Sequence, residues 1–294
     1  MRDLITPKQL GRAIDVSESS IKRWCDKGVI PTQYTAGGHR RIAIADAIEF
    51  LRSGKHQIVH PEALGLPPTS GQTTRVVDRA RVQLVEALIG GDEGACRQIA
   101  FDLYLAEHSL SVICDELFAA AFREIGERWS CGSAEVYQER RGCEITLRVV
   151  HELRATLPPP KASAPVAIGC AASGDQYSLG TAMAELVLRD GKWNATSLGD
   201  NLPFDTVRAA LQDQQPKLFW LSCSYIADEA AFLEGYGALY DEFGQDIAFV
   251  VGGYALTEAL RQQMKYSAFC DNMQHLEGFA QTLRRAIAKQ HRAD

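Results

Sequence analysis

The sequence predicts a multi-domain chain with a small helical head, a four-helix middle and a doubly wound α/β end. Three observations carry that reading: charge is unevenly spread, two Pro- or Gly-rich stretches interrupt the apolar pattern, and the period of that pattern changes after the second. Residues 1–55 hold ten Lys/Arg against six Asp/Glu, a net +4, which leaves −10 for the remainder of a chain whose total is −6. A cationic head on an acidic body implies that only the head meets a polyanion. Apolar residues are 46% and charged residues 23%, which excludes a disordered or fibrous chain. No apolar run reaches the roughly 18 residues needed to span a membrane. The N-terminus does not read as a secretory signal, so a cytoplasmic location and no membrane partner are expected. Eight cysteines without a CxxC pair argue against a disulfide framework or a zinc ribbon. Reduced thiols are expected.

The head, 1–55, begins with Thr6 before Pro7 and Gln9, a capping box with proline at the first helical position. Leu10, Ala13 and Ile14 supply its apolar face. Asp15-Val16 makes a turn, Ser17 caps a second helix running from Glu18 to about Lys27, and Gly28 ends it. This is a helix-turn-helix candidate whose second helix carries Ser19, Ser20, Lys22 and Arg23. Short hydroxyls can approach base edges, and the cations can reach phosphates or guanine. The run Gln33–Arg41 predicts a hairpin with a Gly37-Gly38 tip followed by His39, Arg40 and Arg41, a wing suited to the phosphate backbone. Trp24 could touch that backbone or simply pack.

Residues 56–74 read as a linker, because they are rich in Gly, Pro, Ser and Thr and show no sustained period. Four apolar-periodic stretches then fill 75–160, broken by Gly90-Gly91 and stopped by Pro158–Pro160; they predict a four-helix bundle. From 161 to 294, short strands at 166–170, 194–198, 218–222 and 247–251 alternate with helices at 178–189, 206–211, 229–243 and 276–290. That order predicts a mostly parallel sheet with helices on both faces. Ligands on such sheets sit beyond the C-terminal strand ends, which directs attention to the loops 173–180, 199–203, 222–225 and 252–254.

The head residues ValSerGluSerSerIleLysArgTrp, GlyValIlePro and GlyGlyHisArgArg resemble the winged-helix domain of the MerR family of bacterial transcription regulators. The resemblance implies an all-α winged helix-turn-helix head. Ser19, Ser20, Lys22 and Arg23 would lie on the recognition helix, and His39, Arg40 and Arg41 on the wing. The rest of the chain resembles cobalamin-binding modules similar to that of methionine synthase, and with the head attached it is similar to the CarA/CarH/LitR group of light- or cobalamin-responsive repressors. That likeness implies a Rossmann-like, cobalamin-binding type of α/β domain. Its marks are Trp129 in GlyGluArgTrp, which would cap the corrin, Glu139 after it, Asp175 and Gly180 of an Asp-x-His-x-x-Gly loop, Ser222 and Ser224, and Gly252-Gly253.

Three imidazoles of that pattern are replaced. Tyr177 stands where the family has the lower cobalt ligand, Ser130 follows Trp129, and Arg140 follows Glu139. A neutral phenol with a pKa near 10 is a poor cobalt ligand, so a cobalamin photoreceptor is not expected. Four readings of the pocket stay open: no cofactor, with an assembly or protein-contact role; cobalamin held without a protein imidazole; another tetrapyrrole such as haem or a bilin, with Tyr177, His108 or His151 as ligand; or a different small metabolite. Asp175 and Glu139 form no legible catalytic pair, and no nucleophile set is visible, so no enzymatic activity is expected. Cys170 and Cys223 read as packing residues, and the scattered Cys96, Cys114, Cys131 and Cys143 do not predict a metal site. The expectation is a transcriptional regulator, acting as a repressor, that binds operator double-stranded DNA as a dimer or tetramer and responds to a small-molecule or protein effector. The alternative is a tetrapyrrole sensor or corrinoid-binding protein or enzyme in which ligand binding is the main activity.

Overall fold

A computed structural model describes residues 4–54, 56–67 and 77–290. The chain divides into two compact units, Met1–Pro158 and Pro159–Asp294.

In the first unit, β1 (Leu4–Ile5) leads into α1 (Pro7–Ala13) and α2 (Glu18–Asp26). The Thr6 hydroxyl accepts the Gln9 N–H at 3.2 Å and the Gln9 side chain accepts the Thr6 N–H at 2.8 Å, so the capping box is closed from both sides. Ser17 Oγ accepts the Ser20 N–H at 3.2 Å at the start of α2. β2 (Gln33–Tyr34) and β3 (Arg40–Ala43) form an antiparallel hairpin in the register Gln33↔Arg41 and Tyr34↔Arg40. β1 pairs with the other edge of β3, Ile5 opposite Ile42, giving the order β1-β3-β2. The head is therefore not all-α. The sheet escaped the sequence because two- and four-residue strands carry no readable period and β1 finds its partner nearly forty residues away. α3 (Ile44–Ser53) closes the head over a core of Leu10, Ala13, Ile21, Ile30, Ile42, Ile48 and Leu51, all nearly or fully buried.

Part of the expected linker is packed structure. The N–H groups of Val59 and His60 both donate to the Ala13 carbonyl, at 2.7 and 3.0 Å, and a 3₁₀ turn at Pro61–Leu64 lies against α1. Ile58, Leu64 and Leu66 are buried. Three anchors spaced six and two apart suffice to dock a segment without making a helical or strand period, and its prolines and glycines mask them. Residues 68–74 of the expected linker, and residue 55 before it, lie outside the described residues.

Four helical rods follow: α4 (Val77–Gly90); α5 (Glu93–Leu105); a continuous rod of α6 (Leu110–Val112), a π-helical stretch at Ile113–Ala119 and α7 (Ala120–Ser130); and α8 (Val136–Ala155). α4 packs against each of the others. Its Leu84 and Leu88 are fully buried, as are Phe101, Leu117 and Leu153 on the other rods. Arg148–Glu93 at 2.9 Å and Arg128–Glu86 at 2.7 Å tie rods together at the surface, and Arg97 pairs with Glu152. Arg97 also donates to the Gly65 carbonyl at 3.0 Å, and the Arg52 guanidinium stands 4.1 Å from the centre of the Tyr104 ring. The head and rods of this unit are thus joined by side chains as well as by chain.

The second unit has five parallel strands in the order β5-β4-β6-β7-β8. They are β4 (Val166–Ala171), β5 (Asn194–Ser197), β6 (Leu218–Ser222), β7 (Ala248–Gly252) and β8 (Ala268–Phe269). α9 (Ser178–Asp190), α10 (Phe204–Gln214), α11 (Glu229–Phe243), the short α12 (Glu258–Arg261) and α13 (Met273–Gln290) connect and cover them. Alternation along β6 serves both faces. Phe219 and Leu221 enter a core with Phe249, Val207 and Tyr236, whereas Leu218 and Trp220 enter another with Trp193, Leu188 and Leu276. The doubly wound expectation holds here; β8 and α12 were not foreseen, since neither is long enough to show a period. No helix among the described residues is long and apolar enough to cross a membrane.

Leu64→Ala tests the docking of the turn: removing a fully buried leucine should cost about 2–5 kcal/mol, read as a lowered urea midpoint, whereas a free linker would leave the midpoint unchanged.

Candidate functional sites: a basic head and a loop cluster at the sheet end

On the head, Ser19 is exposed and Ser20 half-buried. Both hydroxyls lie 2.9 Å from Ser17 Oγ, so they share the N-cap of α2. Lys22 pairs with Glu18 one turn earlier at 2.8 Å, and this hydrogen bond holds the Glu18 carboxyl below its ordinary range. Arg23 is exposed and has no ion-pair partner among the described residues. His39 is exposed at the hairpin tip, where its N–H donates to Thr35 Oγ1 at 3.2 Å. Arg40 is committed to Asp26 at 2.7 Å, while Arg41 donates to the Arg40 carbonyl at 3.0 Å. Trp24 packs: its ring centre is 5.4 Å from that of Phe50 and 5.7 Å from that of His56. α2 and the hairpin therefore present cations on two elements of one small sheet-and-helix head.

In the second unit, Asp175 organises the C-terminal end of the sheet. It is fully buried. One carboxylate oxygen accepts the Tyr177 N–H at 3.0 Å; the other accepts the N–H groups of Ser224 at 2.5 Å and Tyr225 at 3.2 Å. Its own carbonyl accepts the Asn201 N–H at 2.9 Å, and Asn201 Oδ1 accepts the Gly174 N–H at 2.8 Å. Three loops, after β4, β5 and β6, are stitched at the switch point between β4 and β6, where ligands of doubly wound sheets enter. Tyr177 precedes α9 and is half-buried. Gly180 lies so close to Ser222 that a Cβ would stand 2.6 Å from its hydroxyl, and one on Gly252 would stand 2.7 Å from the Cys270 carbonyl. Gly253 has φ +115° and its Cβ position is occupied by the Cys223 backbone. Gly252 and Gly253 meet backbone and are required by the fold whether or not a ligand binds, whereas Gly180 meets only the movable Ser222 hydroxyl.

The structure thus gathers Asp175, Tyr177, Gly180, Ser222, Ser224, Gly252 and Gly253 at one end of one sheet. Trp129 and Glu139 belong to the first unit. Trp129 is 53% exposed on the last turn of α7, and Glu139 is half-buried near the start of α8. Sequence reasoning pointed to the loops that hold Asn201, Tyr225 and Tyr254, but not to the role of Asn201 in joining two of them or to the exposure of the tyrosines, 98% for Tyr254. It also missed the chain in which Trp220 Nε1 donates to Thr181 Oγ1 at 2.9 Å, with Ser197 Oγ 3.0 Å further on. An aromatic directly after each strand-end Ser or Gly pair was the available signal for the two tyrosines.

These residues do not fit an axial cobalt site. A phenol stands where the resemblance calls for imidazole, and the Asp175 carboxylate that would orient that group is spent on backbone N–H groups. Among the described residues no group of three His, Cys, Asp or Glu is placed to hold a metal ion. Burial pushes the Cys170 and Cys96 thiols up to about 12 and the Cys143 and Cys270 thiols up to about 11, from an ordinary 9.0. Such thiols are poor nucleophiles and poor ligands.

A helical segment followed by a five-stranded parallel doubly wound sheet is a known arrangement. Residues 80–154 match the family described as the B12 binding domain. The monomethylamine corrinoid protein of Methanosarcina barkeri is similar in fold, with a TM-score of 0.58 at 15% identity over 71% of this chain and 100% of that one. A cobalamin-binding protein from Desulfitobacterium hafniense DCB-2 aligns with a TM-score of 0.38 at 18% identity, over 71% of this chain and 98% of its own. No curated protein matches the chain. Residues 80–154 thus match the B12 binding domain family, and the chain shares a fold with a corrinoid protein.

Native protein at pH 8 should show one rapidly modified thiol, the exposed Cys131, and Cys131→Ser should abolish it; several fast thiols would contradict the burial. The raised thiols stabilise the fold fully below pH 9 and lose that contribution as pH rises toward about 12. Stability should therefore fall across that window in alkaline denaturation curves.

Proposed function

We propose that this protein is a DNA-binding transcriptional regulator, acting as a repressor, whose body is a corrinoid-type receptor and assembly module. The observation that carries the reading is a juxtaposition in one compact unit. A capped, cation-bearing helix and hairpin stand on the same unit as a segment matching the B12 binding domain. Arg23 on α2 and Arg41 on β3 are the cations placed to neutralise phosphates, and Ser19 with Lys22 lies on the exposed face of α2 that a major groove accepts. One head makes few contacts, so the operator-bound form would be a dimer or tetramer whose linked heads raise the effective concentration of one another. Ligand binding in the body, by a tetrapyrrole or a smaller effector, would act on that assembly.

The second reading is a corrinoid-binding protein in which ligand binding is the main activity, and the family match over residues 80–154 favours it. When bound, cobalamin would supply alkyl-transfer or photolabile cobalt–carbon chemistry. No residue at position 177 is suited to hold cobalt, so no step is assigned through it.

Gel retardation with full-length protein on random-sequence duplexes tests the first reading. Arg23→Ala and Arg41→Ala should each flatten the dependence of log affinity on log salt by about 0.9. Protein that ignores DNA at low salt, yet shifts the absorption spectrum of added cobalamin, would establish the second reading instead. The Tyr177 substitution yields a further outcome: with adenosylcobalamin, sedimentation should show the same oligomer in the dark and after illumination, and light-driven dissociation would refute the reading of that position.

A further inference from the structure

The hairpin cation Arg40 faces inward. It opens β3, and Asp26 closes α2. Arg40 Nη2 and Nε both donate to Asp26 Oδ1, at 2.7 and 3.2 Å. Its guanidinium carbon also stands 5.7 Å from the centre of the Tyr34 ring, its cross-strand partner on β2. One planar group therefore contacts the C-terminal end of α2 and both strands of the hairpin. Neighbouring His39 and Arg41 have no such tie to α2; Arg41 reaches only the adjacent Arg40 carbonyl.

We propose that Asp26 and Arg40 form a clasp that sets the angle between α2 and the hairpin, and with it the spacing between groove contacts and flanking phosphate contacts. This rests on the DNA-binding reading above. Arg40 is then a positioning residue, and Arg41 the phosphate contact of the pair. The side chains are 28% and 50% exposed, so their Coulombic attraction is screened by water. What the contact fixes is direction, because a guanidinium fork holds an oxygen in its own plane.

The sign of one substitution decides the matter. Asp26 is an anion beside a surface that would meet phosphates. If Arg40 were a phosphate contact parked on Asp26, removing the carboxylate would free the cation, relieve repulsion and tighten binding. If the clasp positions the hairpin, the same removal loosens it and weakens binding.

Full-length wild type, Asp26→Ala, Asp26→Asn and Arg40→Ala are compared on a duplex selected by the wild type from a random library, across a salt series. The clasp predicts about three- to five-fold weaker binding for Asp26→Ala, the range of a surface pair. Asp26→Asn, which keeps the acceptor oxygen, should bind within about two-fold of wild type or tighter, since it keeps the tie and loses only repulsion. Arg40→Ala should weaken binding with an unchanged salt slope. Asp26→Ala binding as well as or better than wild type, or Arg40→Ala lowering the slope by about 0.9, overturns the clasp. Wild type that selects no duplex overturns the DNA-binding reading itself, a separate result.

Discussion

A buried carboxylate held by three backbone N–H groups is the constraint on which the candidate ligand end of the second unit depends. Asp175 sits in the bend after β4, fully out of solvent. An ionised side chain there would be prohibitive without partners. Three backbone N–H groups supply them, one from its own loop and two from the loop after β6. Hydrogen bonds to a charged acceptor are the strong kind, so the two loops flanking the switch point are held at a fixed separation. The Asn201 contacts add the loop after β5. At the neighbouring strand end, Gly253 lies so close to the Cys223 backbone that no Cβ fits there.

The same carboxylate bears on the resemblance of this loop to cobalamin modules. Asp175 keeps its place in the motif, yet it has become a loop brace, and the side chain two residues on is a half-buried phenol. The acid holds the loop architecture through backbone N–H groups. The phenol at position 177 offers no imidazole to cobalt. A motif read from sequence mixes these two roles, and only the hydrogen-bond partners separate them.

Much of the fold was legible because it depends on long, regular signals. β6 and α11 fall where the sequence puts them, Leu218–Ser222 and Glu229–Phe243, since four apolar residues in a row and a capping Asp228 leave little choice. The helical break at Gly91 has φ +77° and is followed by the Asp92 cap, another local signal. What stayed hidden depends on partners distant in sequence. β1 needs β3, β8 needs β7, and the 3₁₀ turn at Pro61–Leu64 needs α1. The head's charge was also misleading in one respect. Its formal +4 is read from sequence, but Lys22 and Arg40 each have an acid of the head itself as partner. The cations that face solvent unpaired are fewer than the count suggests, which narrows the candidate phosphate contacts to a few named positions.

The way the first unit is held together bears on how any effector could control the head. Arg97 on α5 reaches the Gly65 carbonyl at the end of the docked turn, pairs with Glu152 on α8, and lies 5.2 Å from the centre of the Phe101 ring. Arg52 at the end of α3 covers Tyr104 of the same α5. Swinging the head against the rods would break these contacts. A ligand shifts an equilibrium only by its differential affinity for the two states, so reorienting the head would consume much of what an effector can provide. Changing how many units stand together needs no such disruption. Each added head multiplies the local concentration of the next without altering a contact inside the unit. Control through assembly is thus the route that this packing leaves least obstructed.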